Sequence, residues 1–382
     1  MARIAFYAPM KPPGHPVPSG DRRVARLLMT ALGLAGHDVM LASRFRSYDG
    51  KGDAARQAAL AREGAREAGR LVARWSGLLH PPPQAWFTYH LYHKAPDHLG
   101  PAVCRALGIP YLVAEPSIAA KRAEGPWAAG YAAAREAILA ADVLMPATPH
   151  DAEALAPLVA RRRLVPLRPF LDTAPFQADP PARPRFARRY GLDPARPLLL
   201  AVGMMRPGAK LESYRLLARA LARVRDPAWQ LLVVGDGPAR EEVSRALAPL
   251  GQRVRHAGQL AAGPLRACYL ASDLFVWPGV GEAYGMAYLE AQAAGLPVVA
   301  GDEPGVRAVV RHGQGGLLVE CGEAGAFAAA VDRLLAHPAL RRRLGAAARR
   351  RILAFHGLDG ARRTLARALA VARVPAPRGP AR

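Results

Sequence analysis

A chain of 382 residues is long enough for two cores, and its composition, 51% hydrophobic and 22% charged, is that of an ordinary soluble globular protein. It holds no run of the roughly 18 apolar residues that a membrane span requires, and residues 1–6 are too short an apolar run for a secretory leader, so cytoplasmic residence is the expectation. The net charge of +23 rests almost wholly on arginine, since lysine occurs only at Lys11, Lys51, Lys94, Lys121 and Lys210. That charge reflects either a GC-rich coding bias or an anionic partner, a substrate or a membrane surface; with no basic-aromatic module in the chain, nucleic acid comes last.

In chain order, residues 3–8 read as a strand, followed by a Pro/Gly-rich loop and a helix to residue 35 that Asp21 is placed to cap. Val24, Leu27, Leu28, Ala31 and Leu32 give this helix an apolar face, and residues 38–42 form the next strand, a βαβ opening. Residues 53–79 are helical, with Arg62, Arg66, Arg70 and Arg74 in one stripe that is either a solvated face or a surface for a membrane or an acceptor. The strand 86–90 leads into Leu91-Tyr92-His93-Lys94; His90 and His93 lack a third ligand at metal-binding spacing. A helix at 97–107 and a strand at 110–114 follow, with Glu115 at the strand's carboxyl end, where it pairs with Lys94 or Lys121 or faces a cleft. A strand at 142–145, a helix at 149–159 and a strand at 163–167 complete the first sheet. Prolines at 169, 175, 180, 181 and 184 mark a linker.

The second half repeats the alternation. A strand at 197–202 ends in Gly203, and the loop after it carries Arg206 and Lys210, the only lysine beyond residue 121. Strands at 230–234 and 253–257 precede the most informative stretch, 273–300, DLFVWPGVGEAYGMAYLEAQAAGLPVVA. Leu274-Phe275-Val276-Trp277 suits a strand buried on both faces, Pro278 and Gly279 stop it, a glycine-spaced turn follows, and a helix runs from about Gly285 to Ala294 before the next strand. A strand at 316–319 and helices near 323–336, 338–355 and 358–373 close the chain, and residues 375–382 read as a disordered tail. Alternating strands and helices give parallel sheets, here two Rossmann-type halves of unrelated sequence. The cysteines Cys104, Cys268 and Cys321 form no metal or redox spacing and read as reduced and structural.

Two carboxylates mark the 273–300 stretch, Glu282 in the loop and Glu290 in the second turn of the helix. The first amides of that helix, at Gly285 and Met286, favour an anion such as phosphate, and carboxylates beside them accept hydrogen bonds from sugar or ribose hydroxyls. A helix-capping Glu with a solvated one would serve equally well for two acids taken alone. A lone lysine in a glycine-containing loop of an arginine-rich chain suits a compact ammonium for phosphate, or else a solvated loop position.

The whole run, from Asp273 through Glu282 and Glu290 to Pro297-Val298-Val299, resembles the E-x7-E region of family 4 retaining glycosyltransferases of GT-B fold. The resemblance implies two Rossmann-like domains, 1–170 with a returning helix at 358–373 for the acceptor and 171–357 for the donor, facing each other across a cleft. It implies a nucleotide-sugar donor, UDP-, GDP- or another, no cofactor or catalytic metal, and a glycan, lipid-linked or small-molecule acceptor. Its catalytic set falls on Glu282, Lys210, Arg206 and His90, or His93 in place of His90. Its donor site falls on Glu290, Gly285, Met286, Gly203, Gly20 and Tyr284. The match is incomplete where Met204 follows Gly203, where only Gly20 stands for a tandem glycine, and at Pro169-Phe170-Leu171-Asp172. A GT-B sugar-nucleotide epimerase, a nicotinamide oxidoreductase with poorly spaced glycines and a non-catalytic nucleotide- or carbohydrate-binding scaffold are the competing readings.

Overall fold

The computed structural model describes residues 1–17, 19–77 and 79–375; the tail expected over 375–382 lies, after Pro375, outside them. Internal packing divides the chain into two compact units, Met1–Arg168 with the chain from Leu358 onward, and Pro169–Gly357.

In the first unit β1 (Arg3–Tyr7), α1 (Gly20–Leu34), β2 (Asp38–Leu41), α2 (Ala54–Ser76), β3 (Ala85–Leu91), α3 (Gly100–Leu107), β4 (Tyr111–Pro116), α4 (Ala128–Ala140), β5 (Val143–Met145) and α5 (Pro149–Leu155) alternate. The strands form a parallel sheet in the order β2-β1-β3-β4-β5. Its central strands are largely apolar and buried, interrupted by Thr88, His90 and Glu115, and Phe6, Tyr7, Trp86, Phe87 and Tyr111 are buried almost completely. Ser19, not Asp21, caps α1: its Oγ accepts from the Arg22 amide at 3.2 Å, which leaves Asp21 in the first turn with its carboxylate elsewhere. The expected strand at 163–167 is reduced to a bridge between Leu164 and Leu144, since residues 161–163 close a 3-10 turn just before it. Helix α4 is an addition, built on alanines that carry little periodic contrast.

The second unit contains α6 (Arg183–Tyr190), β6 (Leu198–Val202), α7 (Ala209–Leu221), β7 (Gln230–Val234), α8 (Arg240–Leu247), β8 (Val254–Gly258), α9 (Ala262–Ala271), β9 (Leu274–Trp277), α10 (Met286–Ala293), β10 (Val298–Gly301), α11 (Pro304–Arg307), β11 (Gly316–Val319), α12 (Ala324–Ala336) and α13 (Pro338–Phe355). Its parallel sheet runs β11-β10-β9-β6-β7-β8. The points where the chain enters and leaves this unit are stitched together. The buried His356 donates from Nδ1 to the Pro169 carbonyl at 2.6 Å, and the Leu171 amide donates to the His356 carbonyl at 2.9 Å. Among the described residues no helix is long and apolar enough to cross a membrane.

The chain then returns to the first unit as α14 (Leu358–Val371), which buries Ala361, Leu365, Ala368 and Leu369 and packs on α1. Leu365→Ala should therefore cost the first unit's unfolding transition about 2–5 kcal/mol in denaturant titration, the range for a buried leucine whose cavity collapses only in part. A loss below about 1 kcal/mol would place this side chain outside the core.

Candidate active site

In a parallel sheet every strand ends on one edge, and a crevice opens there where the chain departs in opposite directions from two neighbouring strands. The first sheet has this switch between β1 and β3, the second between β6 and β9. The residues singled out in the sequence collect at these two places.

In the second unit β6 ends at Gly203, whose amide donates to Val234 O at 3.0 Å and whose carbonyl accepts from Tyr214 Oη at 2.8 Å. A Cβ at 203 would lie 2.9 Å from the Trp277 ring, so the loop passes the end of β9 at a distance open only to glycine. Past exposed Arg206 the loop turns into α7, whose second residue is Lys210. The Lys210 ammonium sits against Glu282 Oε2 and 5.5 Å from the centre of the Trp277 ring, whose Nε1 lies 3.4 Å from the same carboxylate oxygen. Lys210 and Glu282 stand 72 residues apart in sequence, yet their side chains are only 28% and 15% exposed. Arg206 makes no ion pair among the described residues.

The loop bearing Glu282 is built on Tyr288. This buried phenol donates to Trp277 O at 2.9 Å, and burial, with the charges of Glu282 and Glu303, pushes its pKa well up, so the proton stays. Gly285 caps α10 with φ 70°, and a Cβ there would approach the Tyr288 ring to 2.7 Å. Val280 N donates to Ser213 Oγ and Gly281 N to Glu303 Oε1, each at 3.0 Å. The turn is thus fixed at four points, and the first amides of α10, including Met286, stand beside Glu282 with no acceptor within the helix. Tyr284 is buried.

Glu290 has a buried partner. It occupies the second turn of α10, but its side chain points inward: it is 4% exposed and accepts from Tyr269 Oη of α9 at 2.7 Å. Tyr269 is fully buried and continues into a ring series with Phe176 and Phe275. Nothing in the spacing of the sequence announces this partner, which lies 21 residues away.

In the first unit the register of β3 against β4 pairs Tyr89 with Ala114 and Leu91 with Pro116. Between these pairs His90 and Glu115 both adopt the left-handed region, φ 61° and 54°. Two such non-glycine residues side by side are a strained arrangement of the kind that clusters at functional sites. His90 Nδ1 lies 3.1 Å from Asp21 Oδ1 and 3.7 Å from Glu115 Oε1. Burial alone would lower the imidazole pKa; the charge of Glu115, the hydrogen bond and charge of Asp21, and more remotely Asp151 outweigh it and push the value up to about 9. Asp21, drawn up by burial, is lowered overall by the same contact. His90 is therefore an imidazolium at neutral pH. Glu115 has His90 as its neighbour. The Tyr92 ring lies between His90 and His93, at 5.0 and 5.2 Å. His93 is the opposite case: burial, Arg122 and Lys94 push its pKa down to about 4. A Cβ at Gly20 would meet nothing within 4 Å, so the approach to the start of α1 is open.

Residues 196–337 match the family model for glycosyl transferases group 1. Over 194 residues the chain is 36% identical to the GDP-mannose-dependent alpha-(1-6)-phosphatidylinositol monomannoside mannosyltransferase of Mycolicibacterium smegmatis, covering 48% of this chain and 50% of that protein. Over 184 residues it is 35% identical to the D-inositol 3-phosphate glycosyltransferase of Rhodococcus opacus, covering 44% and 41%. The chain thus spans about half the length of the curated relatives it matches. Among solved structures, HepE of Anabaena in complex with UDP superposes with a TM-score of 0.73 at 14% identity, over 97% of this chain and 100% of that one. The sucrose-phosphate synthase of Thermosynechococcus elongatus gives 0.72 at 22% identity, over 96% and 98%. With two parallel-sheet α/β units in one chain, these likenesses make the fold GT-B.

The raised pKa of His90 has a measurable consequence. Its contribution to stability is present in full below the ordinary value of 6.5 and is lost as pH rises through about 9. Denaturant unfolding between those values should show this decline, and His90→Gln should lack it. A pH dependence identical in the two proteins would mean that His90 is neutral.

Proposed function

We propose, from the match of residues 196–337 to the family model for glycosyl transferases group 1, that the chain moves a sugar from a nucleoside-diphosphate sugar to an acceptor with retention of anomeric configuration. The second unit holds the donor and the first unit the acceptor. The observation that carries this is the Lys210–Glu282 pair at the switch point of the second sheet, beside the first turns of α7 and α10. The names of the relatives point the same way, GDP-mannose for the mannosyltransferase and UDP in the HepE complex, so a GDP- or UDP-sugar is the donor to test first.

The chemistry follows from charge. A departing nucleoside diphosphate accumulates negative charge, and groups aimed at that charge before it forms are worth more than groups that must reorganise. Lys210, exposed Arg206 and the amide dipoles at the start of α10 supply positive potential there. Lys210 rests on Glu282. A diphosphate offers the ammonium a second anion, and Glu282 then accepts from hydroxyls of the sugar. Glu290, braced by Tyr269, is the carboxylate assigned to the ribose. In the first unit His90, with its raised pKa, is an imidazolium at the carboxyl edge of the sheet and a hydrogen-bond donor to an oxygen of the acceptor. Arg62, Arg66, Arg70 and Arg74 are all exposed on α2, opposite its buried Leu60, Ala68, Leu71 and Trp75, and only Arg70 has a carboxylate partner, Glu67 at 3.1 Å. This stripe lets the protein rest on an anionic membrane.

Calorimetry with UDP and GDP tests the donor site. Charge-assisted hydrogen bonds are worth roughly 1.5–3 kcal/mol, so Lys210→Ala should weaken nucleotide binding about tenfold to a hundredfold. Glu290→Gln should weaken it as well, whereas Glu282→Gln, which releases Lys210, should leave it unchanged or tighter while sugar transfer from the matching nucleotide sugar falls. Loss of nucleotide affinity in Glu282→Gln with none in Glu290→Gln would reverse the two assignments. For the membrane contact, binding to vesicles containing phosphatidylglycerol should fall with salt and fall further when the four arginines become glutamine. Equal binding to neutral and anionic vesicles would remove that partner.

A further inference from the structure

The first unit holds a cavity at the amino edge of its sheet, the edge opposite His90 and Glu115. Its volume is about 620 Å³. One wall is the end of α4 with the residues just after it, from Leu139 to Asp142. A second is the 3-10 turn that bears Arg162 and Arg163, and a third is the end of the returning helix α14, from Val371 to Arg373. Asp142 stands just before β5 and is tied to the first residue of β4: its amide donates to Tyr111 O and its Oδ2 accepts from Tyr111 N, each at 2.8 Å. The cavity thus lies where the last helix of the chain meets the body of the first unit.

Three features of its walls point to a ligand. First, cations outnumber acids. Arg162 and Arg373 are exposed and have no carboxylate partner among the described residues, and Asp142 is the one acid in the wall. Half-buried Arg163 caps α4, donating from Nη2 to the Leu139 carbonyl at 2.7 Å and to that of Ala141. Its Nη1 has no hydrogen bond among the described residues, so capping occupies only part of the guanidinium. Second, two large apolar side chains from different helices, Leu139 and Val371, stay 38% and 45% exposed in this cavity. Third, Arg373 stands where a glycine is usual. Helix α14 ends with Arg373 N donating to Ala370 O at 3.0 Å and Val374 N to Leu369 O at 2.9 Å, a closing turn that puts Arg373 in the left-handed region at φ 59°. Glycine would take that conformation without strain, and strained residues collect at ligand clamps.

We propose that this cavity binds an amphiphilic carboxylate, a single anionic head on an aliphatic body, and that the bound molecule staples α14 to the rest of the first unit. Charge balance selects the head. Three guanidiniums face one carboxylate and the ends of two helices, each worth about half a negative charge. What is left over is close to one positive charge, which suits a carboxylate better than the double charge of a phosphate ester. A planar guanidinium also meets a carboxylate in a two-pronged contact, and the guanidiniums of Arg162 and Arg373 have no carboxylate partner of their own. Leu139 and Val371 then cover the aliphatic body and lose their contact with water. The volume falls within the roughly 300–1,000 Å³ of small-molecule sites. Because the cavity opens at the amino edge, this inference does not depend on the glycosyl-transfer reading, which concerns the carboxyl edges.

The test is calorimetry on the full chain with octanoate, octanol, acetate and inorganic phosphate. Octanoate should bind saturably at one site. Octanol, which lacks the charge, and acetate, which lacks the body, should bind at least about tenfold more weakly. Arg373→Gly keeps the left-handed turn and removes the side chain, so its unfolding midpoint should hold or rise while octanoate affinity falls about tenfold. Arg162→Gln, an exposed change, should weaken octanoate likewise, and neither variant should alter UDP or GDP binding. Amide exchange at 365–374 should slow when octanoate is bound. Octanol as tight as octanoate would mean an apolar patch, and phosphate as tight as octanoate a general anion patch. Either result overturns the site, as does the absence of saturable binding or an affinity unchanged in both arginine variants. Failure of the donor reading shows separately, as a wild-type chain that binds octanoate but neither UDP nor GDP.

Discussion

Parallel strands linked by helices all end on the same edge, and that constraint decides where chemistry can stand in this protein. In each sheet the chain leaves its first strand and later returns to that strand's other side, so two loops are held apart at one crevice. The loops after β6 and β9 bring Lys210 to Glu282, and the loops and helix starts after β1, β3 and β4 bring Asp21 and Glu115 to His90. Neither grouping is visible as a cluster in the sequence; both follow from strand order.

Close packing of backbone is what makes these loops rigid. Gly203 passes the Trp277 ring, and Gly285 passes the Tyr288 ring at positive φ, positions that any side chain would block. Tyr288 in turn ties its hydroxyl to the end of β9. The first unit reaches rigidity differently, by holding His90 and Glu115 in left-handed conformations that the sheet register forces on both sides. Such conformations cost about 1–3 kcal/mol each and persist only where neighbouring contacts over-determine them. In both places the polar group is paired with a charge of opposite sign. The difference lies in what would release it: a competing anion for Lys210, deprotonation for His90.

Much of the fold is legible in the sequence where apolar runs end in proline or glycine, and β9 and β11 stand at the residues such punctuation marks. Helices α4 and α6 evade it for separate reasons. Helix α4 buries Gly130, Ala134 and Ala137 with only Ile138 among them, too little contrast to show a period. Helix α6 begins inside the proline-rich stretch, where Pro184 is tolerated because the first turn needs no amide. Asp21 reads as a cap because aspartate serves well there, but Ser19 fills that role and frees Asp21 for His90. The partners that depend on tertiary packing, Tyr269 for Glu290 and Gln57 beneath Trp127, have no local signal at all.

Amide hydrogen exchange of the full chain with and without saturating UDP or GDP tests the donor site most directly. Slower exchange is expected at 203–213 and 279–290 with at least one of the nucleotides, and unchanged exchange at 90–95 and 117–127. Protection confined to the first unit, or none with either nucleotide, would contradict the placement of the donor at the Lys210–Glu282 pair.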